Sequence, residues 1–326
     1  MITPQDAEFH PPTSDAPTWA ETNFFGFYIP EVPLNVGVYA LFRPNVGVVI
    51  STVAINSRFV TRPWEADYWD PQHQLPIAPD ASLLDYSLRN GLRVRSSEPN
   101  RVWEVEFDNG DGVSMEFTYT ALMDGFDISD PEQDPIVAAQ QGSDTFAWGE
   151  AYKGHFDQTG HYTGVLRLRG HEFPIDCVST MDHSWGLREE HQGHNMSWLH
   201  AHFGDDFAFH GIFDFDHTGG PDAVTSAPAL HGYVLKDGVV HGIKSGTSRT
   251  VREGFYAKSV EIDVVDADDR AWHFTGLART SFPWQAGPGT VGFNVLAEWR
   301  SEGRSGWGEI QDFVGPQHLT RLFSEF

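Results

Sequence analysis

The feature that most restricts the fold is a hairpin written twice. Between Arg101 and Thr120 the segments VWEVEF and VSMEFTY flank the turn DNGDG, with apolar and polar residues alternating on both sides. Such period-2 alternation marks a strand with one buried face, and a Gly-containing turn between two of them closes a hairpin. The design returns between Ser259 and Thr275 as SVEIDVV, DADDR and AWHFT. Asp108 and Asp266, at the two turns, are 158 positions apart in a chain of 326 residues. An upstream strand, turn and strand echoes it: GVYALFRPNVGVVIST from Gly37 and SWLHAHFGDDFAFHGIF from Ser197. Short strands between turn signals, 32 Gly, 20 Pro and an internal echo predict an all-β protein, two antiparallel barrels or sandwiches with few short helices. The domains are expected at residues 1–181 and 182–326. Helices are predicted only over Ser129 to Gln141 and Gly315 to Phe326, and Met1 to Pro17 is expected to wrap the surface.

Charge limits the partners. With 21 basic and 46 acidic residues the chain carries −25, which repels phosphate backbones and excludes nucleic acid as a partner. No apolar run reaches the roughly 20 residues of a membrane helix, so no membrane insertion is expected. The start, MITPQDAEFHPPTSD, lacks the basic and apolar regions of a secretion signal, and a cytoplasmic protein is expected. The single Cys177 excludes an intramolecular disulfide and any multi-cysteine metal site, and reads as a small core residue. The charge does not forbid an apolar patch, so a homodimer is compatible with it.

Chemistry concentrates in the middle of the chain. Twelve of the sixteen histidines lie between His155 and His241. In SWLHAHF, alternation puts Trp198, His200 and His202 on one face, and His210 on the return strand is placed to join them. Facing a barrel interior, these imidazoles could move protons or bind a metal; as hydrogen-bonded structural histidines they would do neither. Asp182, in the run Met181-Asp182-His183-Ser184-Trp185-Gly186, is the candidate acid, because burial against aromatic surface raises a carboxyl pKa. A structural Asp accepting N–H bonds in a turn before Gly186 would have its pKa lowered instead. Near the N-terminus, TWAETNFFGF sets Trp19, Glu21, Asn23, Phe25 and Phe27 on one face. Glu21 and Asn23 there are paired or functional if buried, and ordinary if the strand is an edge facing water. Nucleophile-elbow, phosphate-loop and H-E-x-x-H motifs are absent, and no G-x-G-x-x-G lies between a strand and a helix.

The run TMDHSWG resembles the W-x-D-[HR]-x-W-G region of the hydroxyneurosporene synthase, or carotenoid 1,2-hydratase-like (AttH-like), superfamily, and ETNFFGFY resembles its N-terminal E-W-W-Y-F segment. The resemblance implies tandem lipocalin-like β-barrels with a pocket at their junction and a hydrophobic substrate. Asp182, His183 and Trp185 match the motif and Glu21 the N-terminal acid. Thr22, Asn23 and Thr180 stand where the family has aromatic residues, which implies a more polar pocket. The leading expectation is a cofactor-independent hydratase, dehydratase, isomerase or cyclase acting on a terpenoid, steroid-like or aromatic molecule, with no metal. Asp182 would donate the proton, His183 or His200 would act as base, and Glu21 would complete the catalytic set. Trp185, Trp198, His202, His210, Asn23 and Phe25 would line the substrate. The alternatives are a non-catalytic carrier of a hydrophobic ligand and a metal enzyme with histidine ligands at His200, His202 and His210.

Overall fold

Alternating apolar residues carry strands along nearly the whole chain. The computed structural model describes residues 1–140, 154–188, 195–214, 220–287 and 289–325. The first sheet holds β1 (Trp19–Ile29), β2 (Leu34–Arg43), β3 (Val48–Asn56), β4 (Tyr68–Pro76), β5 (Asp85–Ser87), β6 (Leu92–Glu98), β7 (Val102–Asp108), β8 (Val113–Ala121), β9 (Phe126–Asp127), β10 (Gly154–Leu168) and β11 (His171–Leu187). Its order is β4-β3-β2-β1-β11-β10-β8-β7-β6-β5, with β9 on β10. The second holds β12 (Met196–His202), β13 (Phe207–Asp214), β14 (Val224–Lys236), β15 (Val239–Glu253), β16 (Tyr256–Asp266), β17 (Ala271–Ala278), β18 (Phe282–Gly287), β19 (Thr290–Ser301) and β20 (Arg304–Val314). Its order is β17-β16-β15-β14-β13-β12-β20-β19-β18, and β17 also pairs with β19. That extra pairing closes eight strands into a barrel, whereas the first sheet curls without closing. The all-β expectation holds, and of the two architectures left open the structure has the barrel-like one.

Two units divide the chain: Met1–Ile55, Tyr68–Asp127 and Trp148–Arg188 form the first, and Asn56–Asp67, Ile128–Ala147 and Glu189–Phe326 the second. A division after residue 181 falls inside β11, which stays paired with β1 as far as Leu187. Asp182, His183 and Trp185 therefore belong to the first sheet. In each sheet the first strand pairs with the last, β1 with β11 and β12 with β20. The repeated hairpins occupy matching places, since β8 borders β10 and β17 borders β19. The upstream echo is out by one strand: GVYALFRPNVGVVIST forms β2 and β3, while SWLHAHF is β12, the counterpart of β1. Alternation alone does not number strands, so a similar hairpin one strand along looks the same.

The first unit is filled by rings, with Phe25 against Trp103 (5.9 Å), Phe117 (6.2 Å) and Tyr119 (6.4 Å), and Phe27 against Phe117 (5.0 Å) and Tyr162 (5.6 Å). The second encloses Leu199, Ala201, Phe207, Phe209, Phe274 and Trp299. Its wall also buries an ion pair, Arg252 Nε to Asp312 Oδ2 at 2.8 Å, with Ser197 Oγ donating to the other carboxylate oxygen. Among the described residues the α-helices are α1 (Pro135–Gln140) and α2 (Pro316–Glu325). Helix α1 starts late because Asp134 caps it, accepting from Ile136 N at 2.8 Å, with a prolyl turn before it. Gln141 and Phe326, at the ends of the expected helices, lie outside the described residues. In the N-terminal segment Glu8 accepts from Leu83 N at 2.8 Å and from Ser82, and Ala7 is buried. Cys177 is buried as expected.

Candidate functional site

Strand β1 is not an edge: it lies between β2 and β11, and all its residues are buried. Opposite it, β11 runs through Asp182 to Leu187 without the turn that the structural alternative for Asp182 required. Residues directly across an antiparallel pair share a face, and neighbours along a strand take opposite faces. Asn23 faces His183 and Glu21 faces Trp185, all on the side of Phe25 and the aromatic core. Asp182 and Ser184 face Phe24 and Thr22 on the other side. One strand thus supplies two separate groups.

On the core face, Glu21 is fully buried and receives His10, whose backbone N donates to Oε1 at 2.6 Å and whose Nδ1 lies 3.1 Å from Oε2. The His10 ring stacks on Trp185 at 3.8 Å and 7°, and its Nε2 is 3.3 Å from Asp6 Oδ1. His183 Nδ1 donates to Thr22 O at 2.5 Å, leaving Nε2 3.6 Å from Glu21 Oε2. Burial raises the Glu21 carboxyl although His10 opposes it. Burial works against a charged His10, yet Glu21 and Asp6 raise its pKa. Burial pushes the His183 imidazole down to about 3. Asn23 is buried with neither side-chain amide atom hydrogen-bonded among the described residues, and Phe25 is part of the aromatic core. Trp185 owes its position to Gly154 opposite, where a Cβ would come 1.9 Å from indole Cζ2. Gly154→Ala is expected to displace the indole, visible as a shifted tryptophan emission and a lower melting temperature.

On the opposite face, Asp182 stands directly across from Asp157 of β10, and His155 Nε2 is 3.0 Å from Asp157 Oδ2. Asp157 is fully buried, His155 nearly so, and Asp182 partly accessible. Crowding out of water is the main cause that pushes the Asp182 carboxyl up to about 7; His155 and Arg188 pull it down and Asp157 adds to the rise. Thr22 Oγ1 and Ser184 Oγ are 2.8 Å apart, and Arg188 Nη2 donates to Ser184 Oγ at 2.6 Å. Asp182 therefore has the direction expected of an acid, with a different cause: Trp185 points to the other face, and burial and Asp157 do the raising.

In the second unit Trp198, His200 and His202 do share a face with His210, and His200 lies directly across from His210. That face is not the barrel interior, which Leu199, Ala201 and Phe209 occupy at the alternate positions, yet all four residues are buried. His200 Nδ1 is 2.9 Å from His202 Nε2, and His200 Nε2 is 3.3 Å from Glu309 Oε2, which Gln311 Nε2 also bonds at 2.9 Å. Trp198 meets His200 and His210 edge-on, each at 5.1 Å. His210 leads on to His231 at 5.9 Å, and His231 Nδ1 bonds Asp134. Burial, with His200 and His210 adding, pushes His202 well below the usual imidazole range. Sequence reasoning missed His10, which sits in a segment without periodicity, and also Asp157, His155 and Glu309. His155-x-Asp157 carries the same two-residue spacing as His200-x-His202 and could have been found that way.

Two curled antiparallel sheets, each joining its first strand to its last, make a tandem barrel-like fold. The fold is similar to that of CghA (11% identity, TM-score 0.57, 92% of this chain and 88% of that one) and of kievitone hydratase from Nectria haematococca (11%, 0.52, 97% and 93%). A putative AttH from Nitrosomonas europaea is similar at 11% identity and TM-score 0.50, over 90% of this chain and 91% of that one. The chain belongs to the family DUF7064, a domain of unknown function, whose model matches residues 3–312. No curated protein matches it. Among the described residues no helix is long and apolar enough to cross a membrane.

Proposed function

We propose that this protein is an acid–base enzyme, a hydratase, dehydratase or isomerase of a hydrophobic terpenoid, steroid-like or aromatic molecule. The observation that carries the reading is the pair of acids Asp157 and Asp182, directly opposite on β10 and β11 and held away from the aromatic core. Cβ atoms across such a pair are about 4.5–5.5 Å apart, and two carboxyl groups that close do not both ionise readily. One acid keeps a proton to give and the other can take one. Protonated Asp182, partly accessible, donates to a double bond or to a leaving hydroxyl. Asp157, oriented by His155, accepts a proton from water or from the carbon skeleton. His183, Glu21 and Trp185 lie on the other face, so the base passes from His183 to the Asp157–His155 pair. The similar fold of a protein named kievitone hydratase supports water addition or removal as the chemistry.

Incubation with a panel of terpenoid, steroid-like and aromatic alkenes and alcohols in heavy water, followed by mass spectrometry, tests the reading. Gain or loss of water, or deuterium uptake without other change, is expected for at least one compound. Tight retention of a compound with neither change would favour the carrier instead.

A further inference from the structure

Three chain segments bring ligand atoms together on the core face of the first unit. His10 Nδ1 is 3.1 Å and His183 Nε2 is 3.6 Å from Glu21 Oε2, and the three atoms all lie within 4.8 Å of one another. Ligands on a tetrahedral zinc ion, with bonds of about 2.0–2.1 Å, stand roughly 3.4 Å apart. The two spacings about Glu21 are therefore close to those of a coordination shell.

Proton placement points the same way. The Thr22 carbonyl can only accept, so its 2.5 Å bond fixes the His183 proton on Nδ1 and leaves Nε2 as a bare lone pair. That nitrogen is buried and has no hydrogen-bond partner. It faces Glu21 Oε2, which as a carboxylate also offers only lone pairs, and two acceptors turned on each other in a buried place call for a cation between them. On the outer side of His10, Asp6 Oδ1 lies 3.3 Å from Nε2, which holds a proton there and frees Nδ1. A carboxylate or carbonyl behind each imidazole is the usual outer support of a metal-ligating histidine. An ion pair of His10 with Glu21 would account for one of these contacts and leave His183 Nε2 unexplained.

We propose that His10, Glu21 and His183 bind a divalent transition-metal ion of the zinc class, which ties the N-terminal segment to β1 and β11. Two imidazoles and one carboxylate suit such an ion better than calcium or magnesium, which take oxygen ligands. The site lies across the sheet from Asp182 and does not depend on the acid–base reading. It also differs from the His200, His202 and His210 set, the metal site weighed as an alternative from the sequence.

The test uses the full-length protein, stripped with a chelator, reloaded with zinc chloride and dialysed. Near one zinc per chain is expected by elemental mass spectrometry, with affinity lower by at least about tenfold in His10→Gln and His183→Gln, and by about 10–100-fold in Asp6→Asn. Absence of retained zinc, or equal retention by wild type and His10→Gln, would overturn the proposal; equal retention would place the ion elsewhere, as on His200 and His202. Should the variants fail to fold, cobalt in the unaltered protein decides. Intense visible bands of a tetrahedral site are expected, and weak octahedral bands would overturn it.

Discussion

Asp182→Asn is expected to abolish turnover, with a loss of at least about 10²–10⁴-fold, the range of a general acid. The same variant is expected to melt higher than wild type at pH 8. The Asp182 carboxyl stands at about 7 in the fold against an ordinary value of 3.8, so the folded state holds its proton more tightly than the unfolded chain. Its contribution is therefore neutral at and below pH 4 and turns unfavourable as pH rises from about 4 to 7, the window in which only the unfolded chain ionises. A separation of this size corresponds to about 4 kcal/mol for a sealed group. Partial exposure brings that to about 1–3 kcal/mol, which the neutral amide escapes. Melting curves of both proteins at pH 4 and pH 8 check the claim. Equal curves at pH 8 with lost turnover would keep the acid and discard the stored cost; lower stability of Asp182→Asn at pH 8 would mark a structural carboxylate.

Asp312→Ala is expected to be the most damaging single change in the second unit. Arg252 and Asp312 are 1% and 0% exposed, so removing the carboxylate strands a guanidinium inside the barrel wall. Breaking a buried pair on one side costs about 3–5 kcal/mol, while exchanging both partners for apolar residues is often neutral. Urea denaturation should show a large fall in midpoint for Asp312→Ala and recovery in the double variant Arg252→Met with Asp312→Leu. If the double variant is no better than the single, the loss comes from Ser197 and the strand pairing instead.

Period-2 alternation made the strands, the two hairpins and the shared face of Trp198, His200 and His202 legible, because a half-buried strand writes its two faces into its residues. It does not write which strand pairs with which. Closure of the second barrel depends on β17 meeting β19, a contact that no local pattern signals. The same limit let β12 pass for the counterpart of β2. Asp182 and His183 look like one site because they are adjacent, and applying alternation to Asp182-His183-Ser184-Trp185 would have parted them. Gly186 drew attention to a turn, although glycine within this strand leaves the pairing intact. The polar faces misled for another reason. A fully buried face with four histidines defeats the rule that alternate residues meet water, so the interior was assigned to the wrong side of β12.

The pairing of β1 with β11 also bears on how the protein is made. Trp19 to Phe24 hydrogen-bond to Leu187 back through Asp182, partners that leave the ribosome some 160 residues later. Contacts between such distant segments slow folding, and until they form, an apolar strand stands open along one edge. Two pieces of the second unit, Asn56–Asp67 and Ile128–Ala147, are synthesised before the strands they will join. A shortened gene ending at residue 181 would remove all the β11 partners of Trp19 to Phe24, whereas one ending at Arg188 would keep that ladder whole. Anyone wishing to express the first half alone should cut there, and should expect the second half to miss the two pieces left behind.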